Sequence, residues 1–416
     1  MTLSTKTFTF PTEVLERLFA FSMLDMPLQQ RVGQAQALSL VARGWTRLAQ
    51  KMALSSVQVK GRQAMMRFNR RVDQLDAAGV VRALTIFCQT SSTDSSNLTP
   101  TGEWISPTDL HTTLNRTPKL ARLAIYQPDF SLLPPDVEAL GSSSAIRNLT
   151  SFALTALPHN TSETLITTLL ENTPLLRALT LSGGPVATSH RFRPVQRFPP
   201  KLRVLVVDGM FYNSILFDGG DPLMPIEAYA ALEELAVPIA FGAARLAPDL
   251  LEKAADTLRT LIIPVQGLSP LWHHLAGLTS LVNLVIGSLT PTMESLPSTA
   301  FAALPSSLRY LSIRNINLWG QEPLLQHLKC DLEVLDVGWS WYPGLLSALP
   351  PSLRTIKVAP HAQLAPDLFT LAQASPSRRG LEKIELCPSA GEAVDAVYLR
   401  SIEWACGVLG VTLVVK

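Results

Sequence analysis

The middle of the chain reads Leu258-Arg259-Thr260-Leu261-Ile262-Ile263 and, one repeat later, Leu281-Val282-Asn283-Leu284-Val285-Ile286. Both stretches place apolar residues at the first, fourth and sixth positions. One copy of such a pattern means little, because apolar residues are common in every globular protein. Here eleven copies follow one another, the first starting at Leu120 and the last at Leu381, at start-to-start distances of 21 to 30 residues. Eleven copies in near register are strong evidence for a repeating structure.

Repeats of about 20–29 residues with this pattern are typical of leucine-rich repeats, in which each unit contributes one short strand. Each strand has apolar side chains that it cannot bury alone, so neighbouring units must stack to close a continuous core. The strand triplets are Leu120/Leu123/Ile125, Leu149/Phe152/Leu154, Leu176/Leu179/Leu181, Leu202/Leu205/Val207, Leu232/Leu235/Val237, Leu258/Leu261/Ile263, Leu281/Leu284/Ile286, Leu308/Leu311/Ile313, Leu332/Leu335/Val337, Leu353/Ile356/Val358 and Leu381/Ile384/Leu386, with weaker copies at Val81/Leu84/Ile86 and Val408/Val411/Leu413.

The predicted fold class is therefore α/β. We expect an irregular leucine-rich-repeat solenoid of about 12–13 repeats over residues 79–416. Its strands would form a curved parallel sheet, with helices on the convex side. Regular asparagines after the strands are absent, so the repeats are degenerate.

The composition excludes several functional classes. Charged residues make up 16% of the 416 residues, whereas ordinary domains have about 25%. With 47% hydrophobic residues the chain is too apolar to be disordered. A net charge of +2 gives no bulk attraction to nucleic acid. The sequence has no run of about 18 apolar residues, which a membrane-spanning helix would need. We therefore expect neither nucleic acid nor a membrane as partner.

The N-terminus and the cysteines indicate a reducing compartment. No basic stretch followed by an apolar core starts the chain, so we expect no secretory signal. The four cysteines lie far apart and form no CxxC pair, so the usual zinc spacing is missing. We expect a cytoplasmic or nuclear protein without a bound metal.

Residues 10–54 do not fit the repeat. Val14, Leu15, Leu18 and Phe19 form one helical stripe behind Pro11, and a second helical pattern covers about residues 35–49. The segments Phe10-Pro11-x-Glu13-Val14-Leu15-x-x-Leu18-Phe19 and Leu38-Ser39-Leu40-Val41-Ala42-Arg43-x-Trp45-x-x-Leu48-Ala49 resemble an F-box. This sequence departs from the family pattern in having Phe10 for leucine, Ala42 for cysteine and a longer, more polar stretch at residues 25–36.

The resemblance implies a substrate receptor of a cullin–RING ubiquitin ligase, since F-box proteins dock on the adaptor of such ligases and capture substrates with a separate domain. Residues 1–55 would be the F-box-like helical module and residues 56–78 a linker helix. Carried over by position, the adaptor-binding residues are Pro11, Leu15, Leu18, Phe19, Leu40, Val41 and Trp45. Alternatively, some of these side chains, above all Leu15 and Val41, fill the core of the module, or the whole segment is a plain cap on the solenoid.

No catalytic motif stands out. His273 and His274 are adjacent, and neighbours diverge on a helix, so they do not suggest a shared metal. No Walker A, GxGxxG, GxSxG or HExxH motif occurs. We expect a protein that is not an enzyme and needs no cofactor.

Aromatic residues gather near the later repeats. Tyrosine, tryptophan and arginine dominate binding hot spots, because they combine a large contact area with a polar group. The candidate substrate-binding residues are Tyr310, Arg314, Trp319, Trp339, Trp341 and Tyr342. One or two of these rings could instead cover the edge of the core.

Two further sets of strand positions carry predictions. Residues between the apolar positions, from Thr85 and Ala124 to Val285 and Ser312, suggest a weakly polar sheet face. The second positions of successive strands are Arg203, Glu233, Arg259, Val282, Arg309, Glu333, Arg354 and Glu382. Because adjacent strands lie about 4.8 Å apart, we interpret this series as a ladder of alternating charges rather than as an anion-binding row.

Three functions remain open at this point. The first is the substrate-recognition subunit of an SCF-type ligase, with an adaptor, a cullin and an unknown protein substrate as partners. The second is an F-box protein that binds the adaptor without driving degradation. The third is a leucine-rich-repeat scaffold or inhibitor that binds proteins outside ubiquitination.

Overall fold

The structure is a computed structural model that describes most of the repeat region and none of the chain before Thr46. The described residues are 46–88, 105–126, 141–157, 168–183, 202–207, 226–237, 248–264, 272–292, 303–316, 325, 328, 330–338, 340, 344–374, 380–388 and 394–416. The chain divides into two compact units, Met1–Ala178 and Leu179–Lys416.

The first unit is a series of parallel strands that alternate with helices. Its elements are α1 (Thr46–Ala53), β1 (Ser56–Lys60), α2 (Gly61–Leu75), β2 (Ala83–Phe87), α3 (Pro107–Asn115), β3 (Arg122–Tyr126), α4 (Ser144–Arg147) and β4 (Ser151–Leu157). Strands β1 to β4 pair in chain order, all in parallel. The register aligns equivalent repeat positions, since Leu84 lies opposite Leu123, which lies opposite Phe152.

The second unit continues the same alternation, with β5 (Ala178–Gly183) starting at the boundary. The elements that follow are β6 (Val204–Val207), a 3₁₀ helix (Ile226–Tyr229), β7 (Glu234–Ala236), α5 (Pro248–Lys253), β8 (Thr260–Pro264), α6 (Trp272–Leu275), β9 (Asn283–Thr292), β10 (Tyr310–Ile316), β11 (Val334–Gly338), a 3₁₀ helix (Leu345–Ala348), β12 (Thr355–Val358), α7 (Leu364–Ala374), β13 (Lys383–Leu386), α8 (Ala396–Leu409) and β14 (Thr412–Val415). From β6 to β14 every strand pairs in parallel with the next.

The core consists of the apolar repeat positions. Nearly all of the predicted strand triplets are buried, as Leu258, Leu261 and Ile263 illustrate with at most 1% of their surface exposed. Full burial of such side chains stabilises the fold by roughly 1.5–3 kcal/mol each. Leu381 is only half-buried and Val408 is exposed, so the last two repeats follow the pattern less closely. The predicted α/β solenoid architecture of parallel strands is confirmed.

The backbone at the second repeat position keeps the strands in register. The amide of Glu233 donates to the carbonyl of Arg203 at 2.8 Å, and the amide of Arg259 donates to the carbonyl of Glu233 at 2.8 Å. The same bond recurs through residues 282, 309, 333, 354 and 382. The strands of successive repeats therefore start in register. This alignment places the residues at the second repeat position next to one another.

Hydroxyl groups directly before the strand pattern connect successive repeats. The hydroxyl before the first apolar residue of a repeat donates to the carbonyl of the first apolar residue of the preceding repeat. The three examples are Thr257 to Leu232 at 2.8 Å, Ser307 to Leu281 at 2.8 Å and Ser352 to Leu332 at 3.0 Å.

The structure differs from our expectation at residues 56–60. We predicted a linker helix over residues 56–78, but Ser56–Lys60 is strand β1 and only Gly61–Leu75 is helical. Val57 and Val59 alternate with polar residues in this short stretch, and β-branched residues favour strands. Val59 is buried and pairs with Ile86 of β2, so parallel pairing starts one strand earlier than the sequence indicated.

Candidate functional site

The F-box-like segment lies almost wholly outside the described residues. This holds for Pro11, Leu15, Leu18, Phe19, Leu40, Val41 and Trp45. The described chain starts at Thr46 in α1, and the last two motif residues, Leu48 and Ala49, are buried. Helix α1 leads through a short turn into β1, where the amide of Ser55 donates to the carbonyl of Met52 at 2.9 Å. The end of the motif is thus continuous with the first strand of the sheet.

A side-chain bond also ties α1 to the helix that follows β1. Arg71 of α2 donates to the amide oxygen of Gln50 at 2.9 Å. Helix α2 is in turn held to α3 by a buried bond, in which Asn69 Nδ2 donates to Thr113 Oγ1 at 2.9 Å. The end of the F-box-like segment is therefore anchored to the first repeats.

Of the predicted substrate-binding residues, the structure describes one side chain. Tyr310 lies at the start of β10, and its hydroxyl donates to Asp336 Oδ2 at 3.2 Å. The backbone of Arg314 belongs to the same strand, opposite Gly287 of β9. Four residues, Trp319, Trp339, Trp341 and Tyr342, lie outside the described residues.

Charged residues occupy the face of the later strands that points away from the apolar core, which we call the outer face. Side chains alternate along a strand, so the residues between the buried apolar ones share this face. At the central position, Ser312 of β10 lies opposite Asp336 of β11, which lies opposite Lys357 of β12, which lies opposite Glu385 of β13. The outer face thus changes from small and apolar residues to charged ones after β10.

Three lysines surround the carboxylate of Glu385. Lys383 Nζ lies 2.6 Å from Oε1, Lys416 Nζ lies 2.6 Å from Oε2, and Lys357 Nζ lies 3.6 Å from Oε2. We call Lys357, Lys383 and Lys416 the lysine cluster. The Glu385 side chain is 6% exposed, whereas those of the three lysines are 26%, 37% and 54% exposed. The acid is therefore buried beneath ammonium groups that reach the surface.

The lysines keep Glu385 ionised. Hydrogen bonds from Lys383 and Lys416, together with the charge of Lys357, lower the pKa of Glu385 to about 2, although burial opposes the shift. In return, the bond to Glu385 raises the pKa of Lys416. Close opposite charges favour the charged form of both partners. Glu385 and Lys416 therefore both stay charged under neutral conditions.

Tyr310 connects this cluster with the predicted binding residues. Lys357 Nζ lies 5.5 Å from the centre of the Tyr310 ring, within the range of a cation–π interaction. The tyrosine is thus bonded to Asp336 and covered by Lys357. One of the residues expected from the sequence therefore contacts a charged site that the sequence reasoning missed.

The missed residues were visible in the sequence. Asp336, Lys357 and Glu385 occupy the same repeat position as Val285 and Ser312. Continuing the series for three more repeats would have shown the change from neutral to charged residues. The pairing of Lys416 with Glu385 had no such signal, because it depends on where the chain runs after β14.

The charge ladder at the second positions is confirmed. Its ion pairs are Arg203–Glu233 at 3.2 Å, Arg309–Glu333 at 3.8 Å and Arg354–Glu382 at 3.7 Å. Arg309 also lies 3.7 Å from Asp331. The acids that pair with these arginines are exposed, whereas the acid that pairs with the lysine cluster is buried.

A second surface is apolar. Helix α8 exposes Val397, Trp404 and Val408, and the Trp404 ring lies 4.9 Å from that of Phe369 in α7. Phe369, Val397, Arg400, Ser401 and Trp404 line a shallow groove.

Among the described residues, no group of three or more histidine, cysteine, aspartate or glutamate side chains could hold a metal ion. Burial raises the pKa of Cys88 to about 12 and of Cys406 to about 11, so these two thiols stay protonated under neutral conditions. Within the same residues, none of the helices is long and apolar enough to cross a membrane.

Comparison with known proteins gives similarity in fold. No protein-family profile matches the chain, and no curated protein matches it. The structure is similar to the leucine-rich repeat-containing protein LegL7 from Legionella pneumophila, with 13% identity and a TM-score of 0.43, over 85% of this chain and 97% of that one. It is also similar to a chain of the Rad7 and Elc1 complex in yeast, with 15% identity and a TM-score of 0.44, over 98% of both chains.

Proposed function

We propose that this chain is the substrate-recognition subunit of an SCF-type ubiquitin ligase. Its F-box-like segment docks on the adaptor, and its repeats capture a protein substrate. The adaptor in turn connects the chain to the cullin. The chain itself is not an enzyme and needs no cofactor, since it positions a substrate for the ligase.

One observation carries the proposal: the F-box-like segment ends in α1, which leads directly into the first strand of the parallel sheet. Leu48 and Ala49 at the end of the motif are buried, and Gln50 accepts a hydrogen bond from Arg71 of α2. A docking segment anchored in this way holds an adaptor on a defined side of the first repeats. A freely jointed segment would not orient a captured substrate.

The chemistry of the outer face of the later strands supports the binding of a protein. The outer face of the later strands offers exposed ammonium groups and an aromatic ring but no metal-ligand group among the described residues. Tyrosine is enriched at protein–protein interfaces, and charged groups around it give specificity for a partner of opposite charge. The four thiols are free, which fits a reducing compartment, and we place the protein in the cytoplasm or the nucleus.

The first prediction concerns adaptor binding. Purified chain carrying Pro11→Ala and Trp45→Ala should bind the purified adaptor at least tenfold more weakly than wild type in biolayer interferometry, because both residues belong to the adaptor-binding set. As a control, Trp404→Ala changes an exposed tryptophan far from the motif in sequence and should bind like wild type.

Equal binding of the double variant and wild type would reject adaptor docking through this segment. Complete absence of adaptor binding by wild type would favour the scaffold or inhibitor function instead. A third outcome is that the chain binds the adaptor, but no cellular protein gains a longer half-life when the chain is depleted. This result would favour an F-box protein that does not drive degradation.

A further inference from the structure

The lysine cluster presents positive charge to a partner although its own acids are nearby. Glu385 and Asp336 are each only 5% exposed, so both acids are more deeply buried than the lysine side chains. The side chains of Lys383 and Lys416 are 37% and 54% exposed. A molecule that approaches the outer face meets the ammonium groups first and is separated from the carboxylates by them.

The ammonium groups outnumber the carboxylates within contact distance. Lys357, Lys383 and Lys416 all lie within 3.6 Å of the single carboxylate of Glu385. In the ladder, Arg354 pairs with Glu382, and both side chains are 64% exposed. The lysine cluster therefore differs from this pair both in the number of bases around one acid and in the burial of that acid.

The ammonium groups keep hydrogen-bonding capacity for a ligand. Each ammonium carries three N–H donors. Lys383 and Lys416 each place one nitrogen 2.6 Å from a Glu385 oxygen, which uses one donor of each. The remaining donors of these exposed groups can bind anionic oxygens, and bonds between charged partners are the stronger kind.

Glu385 also holds the lysines in place before a ligand arrives. Long lysine side chains lose rotamer freedom when they bind, which weakens association. Here a buried carboxylate that stays ionised already fixes Lys383 and Lys416. Less freedom remains to be lost on binding.

The lysines lie on successive strands. Lys357 belongs to β12, Lys383 to β13, and Lys416 directly follows β14. Adjacent strands are about 4.8 Å apart. An extended chain that crosses these strands can therefore meet all three ammonium groups with neighbouring acidic side chains.

We propose that the lysine cluster on the outer face of β12 to β14 binds an acidic segment of a partner polypeptide, through carboxylate or phosphoryl oxygens. This inference deepens the proposed function, on which it rests, because it names the kind of segment that the repeats capture. Tyr310 beneath Lys357 adds an aromatic surface at one end of the site.

The test uses the full chain and fluorescein-labelled peptides in fluorescence anisotropy. The probes are a repeated Gly-Ser-Glu peptide, its Gly-Ser-Gln counterpart and the acidic peptide with phosphoserine. We expect the two acidic peptides to bind and the glutamine peptide to bind at least tenfold more weakly. A ranking of the phosphoserine peptide above the glutamate peptide would identify phosphoryl oxygens as the preferred ligand, and the reverse would identify carboxylates.

The variant Lys357→Gln/Lys383→Gln/Lys416→Gln should bind the acidic peptides at least tenfold more weakly than wild type. The control Lys119→Gln/Arg147→Gln/Lys253→Gln removes the same charge at exposed positions elsewhere and should bind like wild type. If the first variant does not fold, the addition of Glu385→Gln removes the buried acid that would lack partners, and this fourfold variant is measured instead.

Unchanged peptide binding by the folded lysine variant would overturn the inference. So would tighter binding of labelled single-stranded RNA than of either acidic peptide. Adaptor binding is measured on the same variants, and it should be unchanged. A chain that binds acidic peptides but no adaptor would reject the ligase function and keep the site.

Discussion

Glu385 is a buried acid that keeps its charge on the outer face of the sheet. Its pKa falls to about 2 because Lys383 and Lys416 donate hydrogen bonds to it and Lys357 adds a third positive charge. An isolated buried carboxylate would instead become neutral. Glu385 thus supports the lysine cluster structurally and offsets part of its positive charge.

This arrangement predicts a defined pH dependence of stability. The folded-state pKa of about 2 lies below the ordinary value of 4.5, so the stabilisation by Glu385 is complete above pH 4.5 and is lost as the pH falls towards 2. Glu385→Gln should therefore lower the urea midpoint at neutral pH, and the difference from wild type should shrink between pH 4.5 and 2. The control Glu382→Gln changes an exposed acid and should show a smaller effect. A constant difference across that window would contradict the account.

The charge ladder predicts a small, measurable coupling. Arg203 and Glu233 lie 3.2 Å apart, with about half of each side chain exposed. Exposed ion pairs contribute roughly 0.2–1 kcal/mol. In a double-mutant cycle of Arg203→Ala and Glu233→Ala, the unfolding free energies should give a favourable coupling in that range. A coupling energy that is zero or unfavourable at low salt would show that Arg203 and Glu233 lie close together without stabilising the fold.

At the scale of the strand, alternation separates core from surface. Leu284 of β9 is fully buried, whereas its neighbour Val285 points to the outer face and is partly exposed. Leu284→Ala should lower the unfolding free energy by roughly 2–5 kcal/mol, because it removes buried apolar atoms and leaves a cavity. Val285→Ala is the matched control and should cost less than about 1 kcal/mol. Similar losses in chemical denaturation would contradict the assigned strand faces.

The elements that the sequence predicted are those that repeat. The apolar triplets and the Arg–Glu ladder recur in many repeats, so their period marks which residues share a face. Strand β1 was missed because Ser56–Lys60 has only two apolar residues and leads directly into a helix. The hydroxyl bonds of Thr257, Ser307 and Ser352 were also missed, because serine and threonine are common in loops and carry no periodic signal of their own.

At the scale of the whole chain, the low charged fraction and the net charge of +2 have separate causes. The continuous apolar core lowers the number of charged residues. The near-zero net charge results from cancellation between 35 basic and 33 acidic residues, some of which pair in the ladder. Composition excluded bulk attraction to nucleic acid, but it could not reveal a local site, which depends on which strands become neighbours.

The two segments to which we assign adaptor docking and substrate capture lie in different parts of the chain, and this separation gives the most direct test of the proposal. Tagged wild type and the Pro11→Ala/Trp45→Ala variant are purified from cells in parallel, and the bound proteins are quantified by mass spectrometry. The account predicts that the variant loses adaptor and cullin by at least tenfold and keeps the other proteins that bind the repeats. Equal recovery of adaptor and cullin with both baits, or their absence from both, would contradict it.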